Sequence, residues 1–212
     1  MQTEFRNETD VCFIHKKLEE YNAENLSLSV QKTLFGLKRG TVRLLPHDAA
    51  WEEEAAKTIC LLKPILREDA ADAQHVGSTA IRGICAKPIL DIAIGAKDLQ
   101  TLQKHHETLA QNGVVFRREE RPNEWLYVMG DIEHDFITHH IHAVEYGGEA
   151  WRNYITFRDH MNAHPEDAAQ YEALKQRLFK EHAEDRSAYT EGKHHFITQI
   201  LQKCDRKGNE PC

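Results

Sequence analysis

The sequence predicts an α+β domain with a mixed or antiparallel sheet flanked by helices. Strand-like runs concentrate between Ala73 and Glu145, the pattern turns to helical spacing after Gly147 and Gly148, and no internal repeat or low-complexity stretch interrupts either part.

Thr9 and Asp10 form an N-cap pair ahead of Val11, Ile14, Leu18 and Tyr21 at helical spacing, and a weaker apolar stretch covers residues 26–37. Residues 1–38 therefore read as a helical N-terminal arm, which alone would bury little surface. Gly36 and Gly40 break that pattern. A short strand is expected over 41–45, ended by Pro46, and Asp48 caps a helix whose Trp51, Ala55, Ile59 and Leu62 share one face. Strand signals follow at 73–77, 88–95, 114–118, 125–129 and 136–145, with a helix over 98–112 that turns Leu99, Leu102 and Leu109 inward. Gly113 stands where a helix C′ glycine is wanted. Helices over 149–163, 165–183 (proline in the first turn) and 187–203 complete a domain spanning 39–203, and the polar residues 204–212 read as a flexible tail.

With 212 residues and 41% hydrophobic content, the chain supports one sizeable domain with an appendage. Its formal charge of −7, from 34 acidic and 27 basic residues, argues against dedicated nucleic-acid binding and against an anionic membrane surface. Cys12, Cys60, Cys85, Cys204 and Cys212 are odd in number and contain no C-x-x-C pair, as suits reduced thiols. There is no secretory signal pattern and no apolar run of membrane-spanning length, so a soluble cytoplasmic protein is expected.

The chemistry concentrates in two places. In the first, His75-Val76-Gly77-Ser78-Thr79 precedes Lys87-Pro88-Ile89-Leu90-Asp91-Ile92-Ala93-Ile94. A tight Gly-Ser turn presents backbone N–H groups to an anion, and a carboxylate on the adjoining strand can hold the Mg²⁺ that neutralises phosphates. Strand alternation sends Asp91 and Ala93 to one face and Ile92 and Ile94 to the other. In the second, His139-His140-Ile141-His142 puts His140 and His142 on one face of a strand, where they suit zinc or another imidazole-bound metal, or neutral hydrogen bonding and phosphate contact. Lys87 and Arg82 are placed to complete an anion site near the turn, with Arg158 and Lys193 on the helical half; Arg158 can equally pair with Asp159. His75 can steer a phosphate or lock the turn. Trp151, Tyr154 and Tyr171 fall at helical spacings that bury aromatic surface, and Cys85 lacks a neighbouring base and reads as inert. No G-x-S-x-G elbow, Walker-type loop or H-E-x-x-H helix is present.

Several segments together resemble the GrpB family over residues 37–201: His75 to Thr79, Ala86 to Ile92, Thr138 to Glu145, Phe157-Arg158-Asp159, Tyr171 to Lys175 and Tyr189 to Lys193. The resemblance implies a nucleotidyltransferase-like mixed sheet in which a Gly-Ser turn is followed by two acids one residue apart and a third acid on a later strand. Such acids bridge two Mg²⁺ ions, one activating a hydroxyl and one stabilising the leaving group. Ala93 stands in place of the second acid, and His140 and His142 occupy the region of the third. The implied function is a cleft for a nucleotide or phosphorylated small molecule, with Mg²⁺-dependent nucleotidyl transfer as the implied reaction. In it, Gly77, Ser78 and Thr79 grip phosphates, Asp91 with His140 and His142 holds the ion or polarises the substrate, and Lys87 offsets charge. The family also occurs fused behind dephospho-CoA kinase, which implies a second reading as a catalytically degenerate binding or folding module with a protein partner. A histidine-metal hydrolase is the third reading.

Overall fold

The computed structural model describes residues 35–182 and 185–208, so the helix expected over 11–21 and most of the apolar stretch 26–37 lie outside them. Six strands, β1 Leu37–Lys38, β2 Ala70–Val76, β3 Leu90–Ala96, β4 Val115–Arg121, β5 Glu124–Asp131 and β6 Phe136–Glu145, form the sheet that positions the site. Their order is β2-β3-β6-β5-β4 with β1 alongside the start of β6. The helices are α1 Ala50–Leu66, α2 His106–Gln111, α3 Glu149–Ala163, α4 Pro165–Glu181, α5 Arg186–Glu191 and α6 His194–Gly208. Only β3 and β6 pair in parallel; the remaining pairs are antiparallel.

Asp48 caps α1 as its sequence indicates, its Oδ1 accepting from Ala50 N at 2.9 Å. The buried face of α1 carries Trp51, Ala55, Leu62 and Leu66. On the opposite face of the sheet Val76, Ala93 and Val144 pack beneath Trp151 of α3. Period-2 alternation in β6 is complete from Phe136 to Ala143, every second side chain being buried.

Several elements depart from the sequence expectation for local reasons. Leu37 and Lys38 form a strand against Ile137 and Phe136, so the expected helical arm does not extend to residue 38. Residues 41–45 do not form a strand; Leu45 makes an isolated β-bridge, exchanging 2.9 Å hydrogen bonds with Ala86. The expected helix over 98–112 divides into a 3₁₀ stretch, Leu99–His105, and α2. The Asp98 side chain accepts from Gln100 N, and its carbonyl accepts from both Thr101 N and Thr101 Oγ1, so i→i+3 bonding wins at that end. β4 runs to Arg121 and not 118: the charged run Arg117–Arg121 lies on an edge strand whose two sides are exposed, and the hairpin closes through Asn123 at φ +62°. The expected helix 187–203 breaks at Gly192, where any Cβ would collide with Leu178. The expected tail does not fray at 204, since α6 continues to Gly208 and Cys204 packs against the cluster of Ile81, Phe157 and Tyr171. No helix among the described residues is long and apolar enough to cross a membrane.

Candidate functional site

Sheet parity assembles the site. Asp91 lies opposite Val76 on β2 and His140 on β6, while Ala93 lies opposite His142, so all share one face. On that face Asp91 Oδ1 is 3.4 Å from His140 Nδ1 and 3.7 Å from His142 Nε2. One donor atom from each of the three lies within 4.8 Å of the others, a spacing that lets them share a single ion, and no other such trio of His, Cys, Asp or Glu occurs among the described residues. Gly77, at φ +69°, lies flat against Asp91: a Cβ there would sit 2.8 Å from the carboxyl carbon.

A carboxylate stands behind the trio. Glu124, 3% exposed, accepts from His142 Nδ1 at 3.1 Å and from the Tyr154 hydroxyl at 2.6 Å. Burial works to lower the pKa of His142, but the hydrogen bonds and charges of Asp91 and Glu124 overcome it and raise the imidazole to about 9. Burial likewise opposes ionisation of Asp91 and Glu124, yet the histidines, joined at Glu124 by Tyr154, hold both carboxyls below their ordinary values. Burial and the adjacent Glu124 push the Tyr154 phenol well up. His139 faces away: its Nε2 lies 3.1 Å from Thr58 Oγ1, and burial pushes it down to about 3, a neutral core histidine.

The trio floors a cleft of about 1360 Å³ that Gly77, Ser78, Lys87 and Lys193 also line. Lys87 Nζ and Lys193 Nζ lie 3.9 and 5.0 Å from the centre of the Tyr189 ring, which puts both cations on the helical wall. Tyr154 and Tyr171 line the same cleft, and Tyr171, buried in the cluster with Ile81 and Phe157, is core as its helical spacing indicates. Tyr171 OH is 3.3 Å from Ser78 Oγ, so the turn is tied to α4.

The other predicted phosphate ligands lie elsewhere. His75 is opposite Ile92 and so points through the other side of the sheet, where its Nε2 meets Thr79 Oγ1 at 2.9 Å and locks the turn. Burial pushes His75 down to about 4 and also removes Thr79 from the cleft. Arg82 pairs with Glu52 at 3.1 Å, and Arg158 pairs with Asp159 at 2.7 Å while donating to Gln74 Oε1 and the His75 carbonyl. His75, Arg82 and Arg158 line a separate hollow of about 450 Å³.

Sequence reading missed Glu124, Tyr189 and Lys175. Glu124 alternates with Leu126 on β5, a signal hidden by starting that strand one residue late. Lys175 is 1% exposed, donates to the Cys85 carbonyl, and is lowered to about 7 by burial. Nothing in a polar helical run marks one lysine as buried.

Residues 41–203 match the family described as GrpB protein. The chain is 36% identical to the glutamate-rich protein GrpB of Alkalihalophilus pseudofirmus over 80% of its length and 99% of that protein. It is 37% identical to a UPF0157 protein of Deinococcus radiodurans, over 63% of this chain and 67% of the relative. Among solved structures, the conserved protein GrpB from Enterococcus faecalis superposes with a TM-score of 0.72 at 24% identity, covering 79% of this chain and all of the other, which shows the shared fold.

Proposed function

The chain belongs to the GrpB family, and from that premise we propose that its cleft binds a nucleotide or similar phosphorylated small molecule together with one divalent ion, in support of nucleotidyl transfer. The observation that carries this reading is the convergence of Asp91, His140 and His142 beside the Gly77-Ser78 turn, on the floor of a cleft with Lys87 and Lys193 in its wall. Two imidazoles and one carboxylate suit zinc, manganese or iron better than the Mg²⁺ expected from an all-acid site. A bound ion would act as a Lewis acid on a phosphoryl oxygen. His142 would present Nε2 once relieved of its proton, held in place by Glu124 through Nδ1. Ser78 and the two lysines would orient and offset the phosphates.

One ion, not two, fits these residues. Ala93 has no exposure and is packed with Val76, Val144 and Trp151, so the position of a second acid is occupied by core. That packing also favours a second reading, in which the fold binds its ligand without turning it over.

Thermal unfolding with nucleoside triphosphates, each with and without Zn²⁺ or Mn²⁺, tests the proposal. A ligand at a hundred times its dissociation constant adds about 2.7 kcal/mol. A shift that needs both ion and triphosphate and disappears in Asp91→Ala supports the cleft; release of pyrophosphate in the presence of an acceptor separates transfer from binding alone. No shift with any pair rejects the proposal.

A further inference from the structure

Away from Asp91, His140 and His142, three side chains from α3, α4 and α6 meet in sequence. His160 Nε2 lies 2.6 Å from Asp167 Oδ2, and His160 Nδ1 lies 3.3 Å from Cys204 Sγ. An ionised carboxylate only accepts, so Nε2 donates to Asp167, and the tautomer this selects turns the Nδ1 lone pair toward the thiol. Asp167 is kept ionised chiefly by the hydrogen bond from Lys203 Nζ, at 2.8 Å to the same oxygen. The imidazole is 7% exposed and stacked on His164 at 3.9 Å between ring centres, while His164 Nδ1 donates to the His160 carbonyl at 2.9 Å. The groups facing the ring are thus Asp167, Lys203, His164 and Cys204.

We propose that Asp167, His160 and Cys204 form a carboxylate–imidazole–thiol relay, and that Cys204 is a site of thiolation by low-molecular-weight disulfides. The contrast with Cys85 supports the assignment. Burial and Glu172 push the Cys85 thiol up, and the adjoining groups offer it no imidazole. Cys204 is only partly buried, and its Sγ faces an aligned base. In the reaction the Cys204 proton passes to His160 Nδ1 and the thiolate attacks one sulfur of the disulfide. The new S–S bond forms as the old one breaks, and the departing thiolate takes the proton from His160. Cys204 is oxidised, half of the disulfide is reduced, and no other oxidant is needed.

The test is incubation of the full chain with oxidised glutathione at neutral pH, with adducts mapped by peptide mass spectrometry. Cys60 is the exposed reference thiol. The expected result is modification of Cys204 about tenfold faster than Cys60, falling about tenfold in Asp167→Asn and in His160→Gln while Cys60 is unchanged. A rate at Cys204 equal to or below that of Cys60, or one indifferent to Asp167→Asn, overturns the proposal. Should either variant lose its fold, shown by Cys85 becoming reactive, the pH–rate profile of the unsubstituted chain decides: a midpoint for Cys204 below that for Cys60 supports the relay, and one at or above it rejects it.

Discussion

His142 Nδ1 lies 3.1 Å from Oε1 of Glu124, and that contact turns the opposite ring nitrogen toward Asp91. A carboxylate behind a ligating imidazole fixes its tautomer and raises its basicity, and removing such a partner costs about 10–100-fold in metal affinity. Glu124→Gln is therefore expected to weaken Zn²⁺ binding by about that factor, with all three ligands intact. Competition with a chromophoric chelator measures it.

Ion-free stability should peak near neutral pH and decline on both sides. On the alkaline side, His142 is raised from 6.5 to about 9, so its contribution is complete below 6.5 and lost as pH rises through 9. On the acid side, burial lowers His75 to about 4 and His139 to about 3. The unfolded chain then binds more protons than the folded one below 6.5, and stability falls as pH drops through that window. Urea unfolding across the pH range checks both limbs. Ion affinity should climb over the alkaline window, because binding displaces the His142 proton.

Gly77→Ala should cost about 1–3 kcal/mol, since φ +69° with ψ −168° is a conformation that side chains resist. The added methyl also meets the Asp91 carboxyl, so loss of ion binding should accompany the loss of stability. Calorimetric unfolding and ion titration on the same variant measure the two effects; a stable Gly77→Ala chain with unchanged affinity would contradict the close approach.

Ala93→Asp, which restores the acid expected of a two-ion site, should not restore the second ion. The position is fully buried among Val76, Val144 and Trp151, so burying a carboxylate there costs more than the ~1–3 kcal/mol of overfilling such a core with apolar atoms. Ion stoichiometry and thermal midpoint of the variant give the answer together. Two ions per chain with no loss of stability would mean that the space exists.

How far the site was legible depended on which signal carried each residue. Period-2 alternation placed His140 and His142 on one face of their strand and His139 on the other, because strand parity is local; that Asp91 shares their face follows from the register of β3 on β6, which the family resemblance implied and alternation alone does not. The same parity also removes His75, through its pairing with Ile92, although proximity in sequence had grouped it with Gly77. Arg82 escaped for a different reason, since Glu52, thirty residues away in sequence, claims its guanidinium group, whereas the pairing of Arg158 with its neighbour Asp159 was legible. The strand of Leu37 and Lys38 and the burial of Lys175 were invisible, since both depend on contacts with residues far along the chain.

One ion is expected among Asp91, His140 and His142. Anomalous diffraction from crystals grown with Mn²⁺ or Zn²⁺ should show a single peak per chain, bounded by those three side chains and absent in Asp91→Ala. A peak elsewhere, or none at saturating ion, would contradict it.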